Sequence, residues 1–297
     1  MFFMQSSDVE ICYLQADPEY RKARGQSQSH LKTILRSPAH YVSAGKHGLI
    51  PSPAMIMGTA VHCKLLEGED TFAAQFTQRP DGIKFTTKEG KDWRAANSKK
   101  KILTNEGRDR QWDSVVGMVD ALRGLEWFDT SLKDYRKYNE VSIYWNDDNI
   151  ACKARLDRVI PLENETLVLD LKTTDNISPS KFQSKLVDLG YDFQAAWYSH
   201  AAEIAYGKPV RFIFVAIERS APYTIDFFEA PRHMINEARY KNQKALRILK
   251  ECKEKNEWPT RQPSLKLVDY PKWYLSLIHI SEPTRPRLIS YAVFCLK

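Results

Sequence analysis

Leu31, Ile34 and Leu35 fall at helical spacing in SQSHLKTILRSPAHY, Ser27 to Tyr41, which opens with capping serines and predicts a short helix stopping at Pro38. PSPAMIMGTAVHCKLLEGED predicts a longer helix from Pro53 to Glu67, with Met55, Gly58, Thr59, His62, Leu65 and Leu66 along one side, so His62 faces inward. Residues 77–101 are charged without a period and predict an exposed loop with a frayed helix. Helical spacing returns over 105–128 through Trp112, Val115, Val116, Val119 and Leu122. From Tyr138 the period becomes two: EVSIYW, ACKARLDRVI and TLVLDLKT read as three strands joined by short polar turns. Helices follow over 178–189 and 191–206, then two strands, RFIFVAIE and YTIDFFEA, and a long helix over 231–257. This order predicts an α/β domain with a mixed sheet flanked by helices.

Composition narrows the class. With 43% hydrophobic and 11% aromatic residues in 297, the chain can build a core for one large domain or two small ones. A net charge of +7 favours an anionic partner such as nucleic acid. The five cysteines, Cys12, Cys63, Cys152, Cys252 and Cys295, show no disulfide or metal spacing, so neither a disulfide framework nor a zinc or iron–sulfur site is indicated, and a reducing cytoplasm fits best. No apolar run suits a membrane span, and no leader is visible.

LSLIHISEPTR, Leu275 to Arg285, back-translates to a transposase-type sequencing-library adapter, and ISYAVFCL, Ile289 to Leu296, to its distal part. Residues 275–297 are therefore expected to be translated adapter, leaving one domain over 1–274: a helical part at 27–128 and a core at 138–230. Removing that stretch lowers the charge from +7 to +5, since its Arg285, Arg287 and Lys297 outnumber Glu282 by two.

The chemistry centres on VLDLKTT, Val168 to Thr174. Alternation puts Asp170 and Lys172 on one face of the strand and Leu169 and Leu171 on the other, an arrangement that a plain ion pair would also explain. With the preceding turn centred at Glu163 and Asn164, Asp157 lies six residues before Glu163 and Asp170 six after Asn164. A symmetric hairpin then sets the two carboxylates about 5 Å apart. Like charges that close call for a cation between them, and a hard divalent ion, Mg²⁺ first with Mn²⁺ as a substitute, is the natural partner. Such an ion can polarise a phosphoryl oxygen while Lys172 orients a water.

RLDR (Arg155 to Arg158) followed by LDLKT (Leu169 to Thr173) resembles the PD-(D/E)XK nuclease core. GTAVH (Gly58 to His62) and QAAWY (Gln194 to Tyr198) resemble the G-x-x-x-H and Q-x-x-x-Y motifs of its RecB-like branch. Together with SQSHLKTILRSPAHY and YNEVSIYW they resemble the RecE-type exonuclease VIII family of phages and prophages, from Ser27 to Tyr274.

The resemblance implies a restriction-endonuclease-like fold and a Mg²⁺-dependent exodeoxyribonuclease that degrades linear double-stranded DNA 5′ to 3′ for recombination. It implies a ring-shaped homo-oligomer in a bacterial cytoplasm, working on DNA ends beside a single-strand annealing recombinase. Asp157, Asp170, His62 and the Leu171 carbonyl would hold the metal, with Lys172 as the catalytic lysine and Glu140 as an accessory or a solvated strand-end acid. Gln194 and Tyr198, four apart on a helix, would orient Lys172 or the DNA backbone, or simply pack. Lys153, Arg155 and Arg158 form either a solvated face or a phosphate-facing groove. Ser29, Lys32 and Arg36 either cap and solvate their helix or clamp a 5′ phosphate. An endonuclease on the same core and a non-catalytic DNA-binding partner are the alternatives.

Overall fold

The computed structural model describes residues 9–48, 51–106, 109–134, 136–261, 263 and 265–268. The chain forms two compact units, Met1–Thr260 and Arg261–Lys297. In the second, the described residues form neither helix nor strand, and the adapter-like 275–297 lie outside the described residues.

The first unit opens with strand β1 (Val9–Cys12) and helix α1 (Asp17–Lys22). Helix α2 (Gln28–Arg36) does stop before Pro38, but the chain then starts α3 (Pro38–His47) instead of a loop. Proline suits the first turn of a helix, and Ser37 Oγ caps it by accepting from the His40 N–H at 3.2 Å. The long helix expected over 53–67 is α4 (Pro53–His62) continued by a π-helical turn, Cys63–Glu67, that buries Leu65 and Leu66. Next come α5 (Glu69–Gln75), β2 (Phe76–Gln78), α6 (Lys88–Ala96) and β3 (Lys101–Leu103), so the helix expected within the loop at 77–101 is α6, and the loop around it is closed by parallel pairing of β2 with β3. Short strands β4 (Asn105–Glu106) and β5 (Asp109–Arg110) lead to α7 (Gln111–Arg123) and α8 (Glu126–Asp134), which break the expected single helix at Gly124.

Strands β6 (Asn139–Asp147), β7 (Ile150–Pro161) and β8 (Thr166–Thr174) form the meander read from the period-two stretch. Helices α9 (Pro179–Asp188) and α10 (Tyr191–Tyr206) carry the chain across to β9 (Val210–Glu218), parallel to β8. β10 (Ile225–Glu229) and α11 (Arg232–Lys255) finish the unit. The sheet order is β1-β6-β7-β8-β9-β10, antiparallel except for β8 and β9: the expected mixed sheet. One face packs Val168, Phe212 and Phe214 on Leu31, Ile34, Trp197 and Leu249 of α2, α10 and α11. The other packs Leu169, Leu171, Val215 and Ile217 on Val61 and Val115 of α4 and α7. Covering both faces removes about 25 cal/mol of unfavourable hydration per Å² of apolar surface. No helix among the described residues is long and apolar enough to cross a membrane.

Candidate metal and catalytic site

Three strands lose their regular pairing at one level. The β7–β8 ladder ends at Arg158 opposite Leu169, one step short of Asp157 and Asp170. The β6–β7 ladder pairs Asn139 with Arg158 and Val141 with Leu156 but skips the step between, where Glu140 faces Asp157. Glu140 itself has φ of 50°, in the left-handed region that a residue with a Cβ enters at a cost. Glu140, Asp157 and Asp170 thus form one row across β6, β7 and β8. Asp157 Oδ2 accepts the Leu171 N–H at 2.7 Å, taking up a backbone donor that the interrupted ladder leaves without its usual partner.

His62 reaches this row from the C-terminal end of α4. Gly58, one turn earlier, allows the close approach, because a Cβ there would press on Thr173 Oγ1 at 3.3 Å. His62 Nε2 lies 3.1 Å from the Leu171 carbonyl oxygen, and Nδ1 lies 3.4 Å from Asp157 Oδ1 and 3.9 Å from Glu140 Oε1. A carbonyl accepts, so Nε2 carries the proton and Nδ1 faces the carboxylates. Burial works against the imidazolium, yet Asp157 and Glu140 hold the His62 pKa well above its ordinary value. Asp157 is lowered in turn: burial favours its acid form, and His62, Lys172 and the Leu171 N–H outweigh it.

Asp170 is fully buried, and burial raises its carboxyl to about 6, with Lys172 opposing the rise and Asp157 adding to it. Its Oδ1 accepts from Gln194 Nε2 at 3.1 Å and its Oδ2 pairs with Lys172 Nζ. Burial alone would lower Lys172, but Asp170 and Asp157 raise it and keep it an ammonium, 5.0 Å from the centre of the Tyr191 ring. Gln194 therefore holds Asp170 directly. Tyr198, one turn along α10, is buried beside Gln194, and burial followed by Tyr20, Asp170 and Asp157 keeps its phenol protonated.

His62, Glu140 and Asp157 each offer a ligand atom, all within 4.8 Å of one another. Two carboxylates and an imidazole fixed through its second nitrogen are a donor set that suits a divalent ion such as Mn²⁺ or Mg²⁺. Glu140 is in this set, whereas both oxygens of Asp170 are engaged by Gln194 and Lys172, and the Leu171 carbonyl by His62. A cavity of about 190 Å³ opens beside it, lined by Gly58, Thr59, His62, Glu67, Gln75 and Glu140 among others.

The basic residues of β7 are not a phosphate-facing groove. Lys153 Nζ donates to the carbonyls of Tyr20 (2.9 Å) and Ala23 (2.7 Å), closing the end of α1. Arg158 is 1% exposed and donates to Asn139 Oδ1 at 2.8 Å. Arg155 is 8% exposed and meets three acids: Glu140 Oε2 at 2.6 Å, Asp17 Oδ1 at 3.2 Å and Glu67 Oε1 at 3.6 Å. It fixes one oxygen of Glu140 while the other faces His62. Sequence reasoning missed this arrangement, because Asp17 and Glu67 come from segments distant in the chain.

On α2, Ser29 Oγ shares a hydrogen bond with Ser27 Oγ at 2.9 Å, and Arg36 is exposed. Lys32 Nζ donates to the Leu189 carbonyl at 2.9 Å, and burial followed by the charge of Lys172 lowers its pKa. Lys172, Asp192 and Asp170 are the charges it feels, so Lys32 lies near the Asp170–Lys172 pair.

A family described as "PDDEXK-like domain of unknown function (DUF3799)" matches residues 27–269. No curated protein matches the chain. A solved structure of a Eubacterium rectale protein described as a "Putative exonuclease" is similar in fold, with a TM-score of 0.60 at 14% identity over 89% of this chain and 97% of that one. A second structure, of SSO0001, overlaps 44% of this chain and 60% of its own at 19% identity and a TM-score of 0.27, too slight a likeness to bear on the fold.

Proposed function

The chain belongs to this PDDEXK-like family and is a nuclease of that superfamily, and from that premise we propose that it is a Mg²⁺-dependent exodeoxyribonuclease of the RecE type. In this reading it degrades linear duplex DNA from its ends, 5′ to 3′, as a homo-oligomer that supplies single strands to an annealing recombinase. The observation that carries the chemistry is the row of Glu140, Asp157 and Asp170 at interrupted pairing, with His62 on one side and Lys172 on the other.

Asp157, His62 and Glu140 would hold the ion, with Asp170 and the Leu171 carbonyl on the neighbouring strand beside them. A divalent ion bound there supplies charge to polarise the scissile phosphoryl group and to acidify a water. Lys172, kept protonated by Asp170, offers positive charge to the phosphate as its own charge grows. Gln194 fixes the carboxylate that fixes Lys172, and Tyr198 packs behind Gln194.

The assignment is tested by incubating the purified chain with end-labelled linear duplex and with covalently closed circular DNA, with Mg²⁺ and with chelator. Loss of label from the linear duplex in Mg²⁺ alone is the expected result. Cutting of the closed circle would make the enzyme an endonuclease, and no cutting of either would leave a DNA-binding module. Gln194→Ala should slow hydrolysis about 10–100-fold without loss of fold, the usual effect of releasing a group that orients a side chain beside a metal site; single-turnover rates and circular dichroism check both halves.

Polarity rests on α2. Ser29, Lys32 and Arg36 at its start and along its length are proposed to clamp a terminal phosphate. Ends bearing a 5′ phosphate should be degraded faster than 5′ hydroxyl ends, and Arg36→Ala should shrink that preference; equal rates on both ends would remove the clamp. The domain is proposed to end by Tyr274. A chain ending there should cut DNA as fast as the full one, and loss of activity would mean that residues 275–297 take part.

A further inference from the structure

With Arg155 and Arg158 turned inward, the positive charge that meets a polyanion must lie elsewhere. Besides residues 21–47, which hold six Lys and Arg and no Asp or Glu and include the α2 residues proposed above as a clamp, two stretches carry an excess: residues 79–101 and helix α11 at 232–255 each hold eight Lys and Arg against three Asp and Glu. The charges of α11 are partly met by acids of its neighbours, Arg239 by Glu203, Lys241 by Asp192 and Lys250 by Asp148. In the first stretch Arg79 pairs with Glu106, but among the described residues no acid pairs with Lys84, Lys88, Lys91, Arg94 or Lys99, all of them exposed.

That stretch is a built surface. Thr87 Oγ1 caps α6 by accepting from the Gly90 N–H at 3.2 Å and donates to the Lys84 carbonyl at 2.8 Å. Gly90 makes the fold-back feasible, since a Cβ would lie 2.0 Å from the Lys84 carbonyl oxygen. Phe85 stacks on Trp93 with ring centres 6.3 Å apart and lies under the guanidinium groups of Arg79 at 4.9 Å and Arg94 at 5.5 Å. Lys88, Lys91 and Arg94 then follow one another along one stripe of α6 at i, i+3 and i+6. The strands that frame the stretch begin next to the candidate site: Gln75 lines the cavity beside His62 and Glu140, β2 starts at the next residue, Phe76, and Phe76 pairs with Lys101 of β3.

We propose that residues 79–101 are a second DNA contact, a surface that holds the phosphodiester backbone outside the catalytic cluster without reading its sequence. The inference rests on the DNA-hydrolase reading above. Exposed lysines unmet by acids release counterions when phosphates approach, which is the physical basis of salt-dependent backbone binding. The backbone could belong to the intact duplex or to the single strand left after digestion, and the two are separable by experiment.

The test is fluorescence anisotropy of the full chain in chelator, where DNA stays intact, with a 30-base-pair duplex and a 30-nucleotide single strand over a salt series (both lengths, of about one binding site or more, chosen for the probe). The triple variant Lys84→Ala, Lys88→Ala, Lys91→Ala should bind at least tenfold more weakly at low salt. The slope of log affinity against log salt should fall by about 2.7 if the partner is duplex, or about 2.1 if it is single-stranded. Whichever probe shows the loss identifies the strand held. A triple variant at the acid-paired cations of α11, Arg239→Ala, Lys241→Ala, Lys250→Ala, should change the slope far less. Hydrolysis of bis(4-nitrophenyl) phosphate in Mg²⁺ should be unaltered in both variants. Unchanged slopes for both probes, or equal losses from the two triple variants, would overturn the proposal. If the parent chain binds DNA through this surface but hydrolyses none in Mg²⁺, the hydrolase reading fails and the surface stands.

Discussion

Asp157→Ala, Asp170→Ala and Lys172→Ala should each lower the single-turnover rate of DNA hydrolysis by about 10³-fold or more, and any double variant should be scarcely slower than the worse single. The three side chains share their charges, so none retains its state when another is removed. Lys172 is an ammonium because Asp170 and Asp157 face it, and Asp157 is ionised in part because Lys172 and His62 face it. Removing Asp170 also strands the Gln194 amide and frees the lysine from its fixed position. Removing Asp157 takes one of the three donors from the metal-capable cluster and the acceptor from the Leu171 N–H. DNA binding should survive in Asp170→Ala, since backbone contacts by exposed lysines carry most of that affinity. Rates near wild type in any one variant would remove that residue from the unit.

How much of this was legible depended on how local the signal was. The Asp157 and Asp170 placement followed from a turn and the alternation beside it, because one turn sets the register of a whole hairpin. The same arithmetic reaches Glu140: Asp148 and Asn149, with φ of 46° and 63°, make a two-residue turn that sets Glu140 opposite Asp157. Alternation could not, however, tell which basic residues of β7 face solvent. That strand is buried on both sides, so a charged residue reads as exposed from its type alone while Asp17, Glu67 and Asn139 cover it from afar. Residues 77–101 read as a loop with only a frayed helix because their order comes from a glycine contact and rings flanked by guanidinium groups, neither of which leaves an apolar period.

Arg155→Met should destabilise the fold by about 3–5 kcal/mol at neutral pH, the usual cost of deleting one partner from a buried ionic cluster. The guanidinium is the cation among Asp17, Glu67 and Glu140, and a methionine of similar length keeps the packing while leaving those carboxylates to repel one another. Burial, followed by Glu140, already raises Glu67 above the ordinary glutamate value, and Arg155 opposes that rise. Without Arg155 the carboxyl of Glu67 climbs further, so the folded variant takes up a proton at a pH where the unfolded chain has lost it. A carboxyl raised in the folded state weakens the fold above that raised value and ceases to do so once both states are protonated. The deficit relative to wild type should therefore be largest at neutral pH and shrink as pH falls toward the ordinary glutamate range. Urea titrations of both chains across that interval measure it. A deficit that stays constant or grows on acidification would mean that Arg155 stabilises the fold by packing alone and that Glu67 does not sense its charge.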